Sequence, residues 1–96
     1  MTHFNQLTPA EAERLAMLLE ELGEAQQAIG KILRHGYESK HPNGGLTNRH
    51  DLEREIGDIH AALRLLTLSG DLDGSAIALA ATKKMARINV YSHHQE

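Results

Sequence analysis

A chain of 96 residues with no cysteine and a net charge of -3 has room for one domain, residues 1–96, with a thin stability margin. The missing thiols exclude disulfides and thiolate metal sites and fit a reducing compartment. The mildly acidic balance excludes the basic stripe that a nucleic-acid surface needs. The first seven residues, Met1 to Leu7, have no basic segment leading into an apolar one, and no apolar run approaches membrane-spanning length. The expectation is a soluble, cytoplasmic protein with neither a membrane nor a nucleic-acid polymer as partner.

Thr8-Pro9-Ala10-Glu11 opens the first element: Thr8 can cap, proline suits the first helical position, and Glu11 completes a capping box. Leu15, Leu18, Leu19, Leu22, Ala25, Ile29, Ile32 and Leu33 then recur at helical spacing. Arg34 and His35 give a basic last turn before Gly36. The pattern predicts a helix over about residues 9–35, roughly 40 Å long at 1.5 Å per residue. From His35 to Asn48 the chain carries Gly36, Pro42, Gly44 and Gly45 and reads as a loop. It is either a mobile surface connection or, with Lys40, Arg49 and its histidines, a lid over an anionic ligand.

Asn48 is the expected cap of a second helix, with Asp51 in its first turn and a stripe of Leu52, Ile56, Ile59, Leu63 and Leu66. Gly70 ends it, and Asp71 or Asp73 caps a third helix with apolar positions Ile77, Ala81, Met85 and Ile88. Nothing reads as a strand. The expected fold class is all-α: an antiparallel hairpin of long helices plus a third helix, completing a four-helix-type bundle by oligomerisation into a homodimer or homotetramer.

Inside the first two helices one pattern occurs twice. Glu21-Leu22-Gly23-Glu24 and Glu55-Ile56-Gly57-Asp58 both read acid, aliphatic, glycine, acid. Residues three apart are neighbours on a helix, so each segment presents two carboxylates side by side. On a helical wheel Glu21 and Glu24 lie roughly 80° and 140° from the Leu22/Ile29 stripe, and Glu55 and Asp58 roughly 60° and 120° from Ile59, in the same sense. The two-fold axis of an antiparallel hairpin preserves that sense, so both pairs should face one side. Four carboxylates together repel unless a cation joins them, and an all-oxygen cluster suits Mg²⁺, with Mn²⁺ as a substitute.

One E-x-x-E alone is ordinary helix surface; the repeat with the same internal glycine is what makes the set informative. Glycine inside a helix costs about 1 kcal/mol relative to alanine, so Gly23 and Gly57 are expected where another helix approaches, in a second subunit. Lys84 and Arg87 form a basic pair on the third helix, offset in the same sense as the acids, with Lys83 beside them. They read as phosphate donors or as cations placed by the helix dipole.

The seven histidines, His3, His35, His41, His50, His60, His93 and His94, are scattered. Glu38-Ser39-Lys40-His41 has the E-x-x-H spacing of di-iron bundles, but in a Gly/Pro loop, where helical spacing carries no meaning.

Taken together, the E-x-x-E, the E-x-x-D and a Lys/Arg-rich C-terminal helix resemble the MazG-type all-α nucleoside triphosphate pyrophosphohydrolases. The matching segments are LEELGEAQQAI (19–29), DLEREIGDIHAALRLL (51–66) and residues 71–91, ending KKMARINVY. The resemblance implies Mg²⁺ held by Glu21, Glu24, Glu55 and Asp58, with Lys84 and Arg87 near the phosphates. It implies cleavage of a nucleoside triphosphate between its α and β phosphates, giving the monophosphate and pyrophosphate, in a dimer or dimer of dimers. Asn89 corresponds to a family asparagine but falls on the other flank of the third helix. The chain departs from the family in its long connection between the acidic pairs and in a short N-terminal segment without tryptophan, where Phe4, Asn5 and Gln6 are the only candidates for reading a base. Two other readings stand beside the enzyme. One is a non-catalytic helical oligomer whose acidic face is a structural cation or partner site. The other is phosphoribosyl-ATP pyrophosphohydrolysis on a similar fold, for which no residue marks a pocket.

Overall fold

The computed structural model describes residues 4–95, so His3 lies outside the described residues. Three helices run in chain order, α1 (Pro9–His35), α2 (Asn48–Leu68) and α3 (Gly74–Ala86), followed by a single 3₁₀ turn at Ile88–Val90. The described residues form no strand; Lys40 and Thr47 make one isolated antiparallel bridge within the loop. No helix among them is long and apolar enough to cross a membrane.

The start of α1 is fixed as its sequence dictates. Thr8 accepts a hydrogen bond from the Glu11 amide (3.1 Å), and the Glu11 carboxylate accepts one from the Thr8 amide (2.8 Å). At the other end the Gly36 amide donates to Ile32, and φ of +88° there favours glycine. The second helix differs by one residue from expectation. Thr47, not Asn48, is its cap, accepting from the His50 amide at 3.2 Å. Asn48 is instead buried in the first turn. Its side chain donates to the Gly36 carbonyl (3.2 Å) and its amide to Ser39 (2.9 Å). It thereby ties the end of α1 to the start of α2.

These ties make the connecting loop an ordered structure. Arg49 pairs with Glu38 (2.7 Å) and its guanidinium lies 4.4 Å from the centre of the Tyr37 ring. Glu38 is therefore engaged by an arginine. At the opposite end of the hairpin, Asp73 caps α3 through the Ser75 amide (2.9 Å), while Asp71 takes a bidentate ion pair from Arg14, whose second bond is 3.0 Å. The hairpin is thus closed at both ends, and its helices are antiparallel.

The seam between α1 and α2 is not where the leucines point. Ala25, Ala28, Ala62 and Leu66 are its buried apolar residues, with Leu66 fully enclosed. On α1 the inward face runs through Leu18, Glu21, Ala25, Ala28 and Ile32, roughly a quarter-turn from the leucine stripe. Leu15, Leu19, Leu22, Ile29 and Leu33 are all exposed, Leu19 and Leu33 at 72 and 82 %. The expected stripe is therefore split: Leu18, Ala25 and Ile32 lie on the inward face, while Leu15, Leu19, Leu22, Ile29 and Leu33 form an outer face. The reason is numerical: a helix in a hairpin has one neighbour, which covers one face, and the small side chains at Ala25, Ala28 and Ala62 let the two backbones close on each other there. In α2 the expected stripe serves better, with Leu66 buried and Leu52, Ile59 and Leu63 half-buried, though Ile56 is exposed.

Helix α3 projects from this hairpin. Every one of its residues is exposed, and only its root meets α2, where Gly74 and Ile77 lie along Leu63 and Thr67. The radius of gyration is 16.9 Å, against about 12–13 Å for a compact chain of this length.

Candidate metal centre

Glu21, Glu24, Glu55 and Asp58 converge. One carboxylate oxygen from each lies within 4.8 Å of the other three. Two sit on α1 and two on α2, and the Ala25–Ala28–Ala62 seam holds the helices close enough for the pairs to meet. The equal offsets read from the two helical wheels therefore have a common target, even though α1 is turned relative to that reading. Glu21, expected to flank the core, lies on the inward face, and Glu55 is buried beside it.

Burial is unequal and informative. Glu55 is 8 % exposed, Glu21 is half-buried and Asp58 is exposed. One oxygen of Glu55 accepts from Arg54 at 3.3 Å. The Oε2 atoms of Glu21 and Glu55 are buried with no hydrogen-bond partner. A buried carboxylate oxygen without a donor is costly, and two such oxygens on members of the same four-carboxylate set suit a bound cation.

The electrostatics say the same. Burial pushes the Glu21 carboxyl above its ordinary value, and the charges of Asp58, Glu20 and Glu55 push it further. Glu24 is raised first by the closeness of its carboxyl to that of Glu55, which favours a shared proton, and then by the charge of Glu21. In both cases the site favours an added positive charge, as a proton or as a metal ion. Four oxygen donors and no nitrogen or sulfur fit a hard divalent cation such as Mg²⁺ or Mn²⁺.

The basic residues of α3 are not brought to this cluster within one chain. Lys84 lies over the Tyr91 ring, 4.2 Å from its centre, and Arg87 is the C-cap of α3, its amide donating to Lys84 (3.0 Å). Among the described residues no ion pair joins Lys83, Lys84 or Arg87 to an acid. Phe4, an expected base-reading candidate, is 96 % exposed. The residues that do adjoin the acids include three that the acid-aliphatic-glycine-acid pattern does not contain. Arg54 bonds Glu55, and Lys31 and Asp51 line a cavity of about 270 Å³ together with Glu24 and Glu55. Spacing carried a signal for two of them, since Lys31 follows Glu24 by seven residues and Asp51 precedes Glu55 by four, each on the same helical face. Arg54 gives no such signal.

Comparison with protein-family models, with curated proteins and with solved structures finds no match to this chain.

Proposed function

We propose that the protein is a Mg²⁺-dependent nucleoside triphosphate pyrophosphohydrolase that cleaves (d)NTP to (d)NMP and pyrophosphate. The observation that carries the reading is the meeting of four carboxylates within 4.8 Å, with two buried oxygens that have no protein partner. The resemblance of the two acidic segments to MazG-type enzymes supplies the reaction class.

In this reading Glu21, Glu24, Glu55 and Asp58 hold the metal. Bound there, Mg²⁺ would neutralise charge building on the phosphates and lower the pKa of a water. One of the α1 carboxylates, Glu24 or Glu21, takes the proton of the attacking water. The water oxygen bonds to the α phosphorus, the bond from that phosphorus to the bridging oxygen breaks, and its electron pair leaves on pyrophosphate. Glu55, enclosed and bonded to Arg54, fixes the geometry of the set.

The same reading includes a homo-oligomer. The chain exposes 7713 Å², whereas a compact protein of 10.6 kDa exposes about 5,500 Å². Burying the surplus of about 2,200 Å² on each of two copies falls within the range of about 2,000–5,000 Å² in total for obligate homodimers. The outer leucine stripe of α1 is the natural centre of that contact, giving a four-helix arrangement from two hairpins. Lys84 and Arg87, displaced from their own chain's acids, reach a cluster only in such an assembly. A non-catalytic oligomer with a structural cation rests on the same stripe and differs in one outcome.

The test is a screen for pyrophosphate release across canonical and modified triphosphates with Mg²⁺ or Mn²⁺. Release that Glu55→Gln abolishes, with the helical circular dichroism retained, is the expected result. Metal-dependent stability without release from any triphosphate selects the non-catalytic oligomer.

A further inference from the structure

The loop end of the hairpin carries a second group of charged side chains, opposite in sign to the first. A cavity of about 320 Å³ opens there, walled by Lys31, Arg34, His35, Lys40 and His41, with Asp51 as its one carboxylate. Among the described residues no ion pair engages Lys31, Arg34 or Lys40. Asp51 lies 4.0 Å from Arg54, which draws it toward the acids. Three uncompensated cations thus face one space.

The start of α2 lies beside this cavity, but its amides are already taken. Asn48 donates to Ser39, Arg49 to Tyr37, His50 to the Thr47 hydroxyl and Asp51 to the Thr47 carbonyl. Side chains are therefore the donors the cavity offers. His41 accepts from the Asn43 amide through Nδ1 (3.1 Å), so the neutral ring carries its proton on Nε2.

The cavity adjoins one that the acidic cluster lines. Lys31 and Asp51 line both it and the neighbouring cavity that Glu24 and Glu55 line. Along α1, Lys31 and Arg34 follow Glu24 by about 10 and 15 Å, and side chains on a helix lean toward its N-terminus, here toward the acids. Arg34 does so: its Nη1 lies 3.5 Å from the place a Gly30 β-carbon would occupy. An extended polyanion held at one end through a cation on the carboxylates would lay its other end among these side chains.

We infer that the loop-end cavity is the subsite for the outer phosphates of the substrate, with Lys31, Arg34 and Lys40 as their donors. This rests on the hydrolase reading for the identity of the ligand and adds a place for the leaving pyrophosphate within a single chain. Arg34 gives a forked donor and Lys31 and Lys40 mobile point charges.

The experiment titrates inorganic pyrophosphate into the full chain by calorimetry, for wild type, Arg34→Gln, Lys40→Met and the double variant, with Arg64→Gln on α2 as control. All three positions are exposed, so the fold should survive, and circular dichroism checks it. Loss of a charge-assisted hydrogen bond weakens binding about tenfold or more. Each loop-end variant should show that loss, with Mn²⁺ binding unchanged. Pyrophosphate affinities within about twofold of wild type in both Arg34→Gln and Lys40→Met overturn the subsite. Arg34-dependent pyrophosphate binding in a protein that hydrolyses no triphosphate overturns the hydrolase and keeps the subsite. Triphosphate hydrolysis with KM and pyrophosphate binding indifferent to both variants does the reverse.

Discussion

Replacing Leu19 and Leu33 by lysine separates a chain that lives alone from one that lives in pairs. Both side chains stand on the outer stripe of α1, 72 and 82 % exposed, and about 21 Å apart along the helix. If the protein is a monomer, the two lysines are ordinary surface changes, each within about 0.5 kcal/mol of neutral. If two hairpins meet across this stripe, each leucine loses about 1.5 kcal/mol of burial at the low end. A two-fold contact counts both positions twice. The loss is then about 6 kcal/mol, a weakening of Kd by roughly four orders of magnitude. Light scattering after gel filtration reads the answer directly. Wild type should have at least twice the 10.6 kDa chain mass, and the variant should fall to the single-chain mass while keeping its helices. A wild type at single-chain mass at all concentrations, or a variant that stays associated, refutes the reasoning.

Three further outcomes follow from the same structure. Without metal, thermal stability should rise as pH falls from neutrality toward the ordinary glutamate value of 4.5. The raised carboxyls of Glu21 and Glu24 hold protons in the folded state that the unfolded chain has released, so their contribution is full below the unfolded value and lost as pH rises through the folded one. The double variant Glu21→Gln/Glu24→Gln should flatten this rise. Further acidification below the ordinary aspartate value of 3.8 should reverse it, because the hydrogen bond from Arg14 holds Asp71 low and that ion pair fails once Asp71 is protonated. Gly23→Ala and Gly57→Ala test helix approach: a β-carbon at either meets nothing within 4 Å in one chain, so each should stabilise a free hairpin by about 1 kcal/mol in urea titrations and weaken the assembly if a second copy packs there. Leu66→Ala, which truncates the one fully enclosed large side chain among the described residues, should cost about 2–5 kcal/mol in the same titration.

Local chemistry was the legible part. Thr8, Pro9, Glu11 and Gly36 fix the ends of α1, because caps are settled within one turn of chain. The repeated acid-aliphatic-glycine-acid segment located all four members of the cluster, since carboxylates three apart share a face in any helix. The expected cap Asn48 yields that place to its neighbour Thr47 because Asn48 is claimed by Gly36 and Ser39 across the loop, contacts that local spacing does not report. Asp71 and Asp73 were degenerate until Arg14, 57 positions away, took the first. The larger error concerned α1. Periodicity reports that Leu15, Leu19, Leu22, Ile29 and Leu33 form a face, but not what covers it; of the seam alanines only Ala25 stood in the expected stripe, and Ala28 and Ala62 carry too little hydrophobicity to announce themselves.

The bareness of α3 has a consequence for how the protein responds to its own abundance. Thirteen residues are about the length at which a lone helix is marginal in water, and this one has almost nothing of its own chain to lean on. Its order, and with it the position of Lys84 and Arg87, would then be borrowed from a neighbour and returned on dilution. In the proposed oligomeric hydrolase, turnover per molecule would climb with protein concentration, and dilution would leave single chains whose α3 is unsupported.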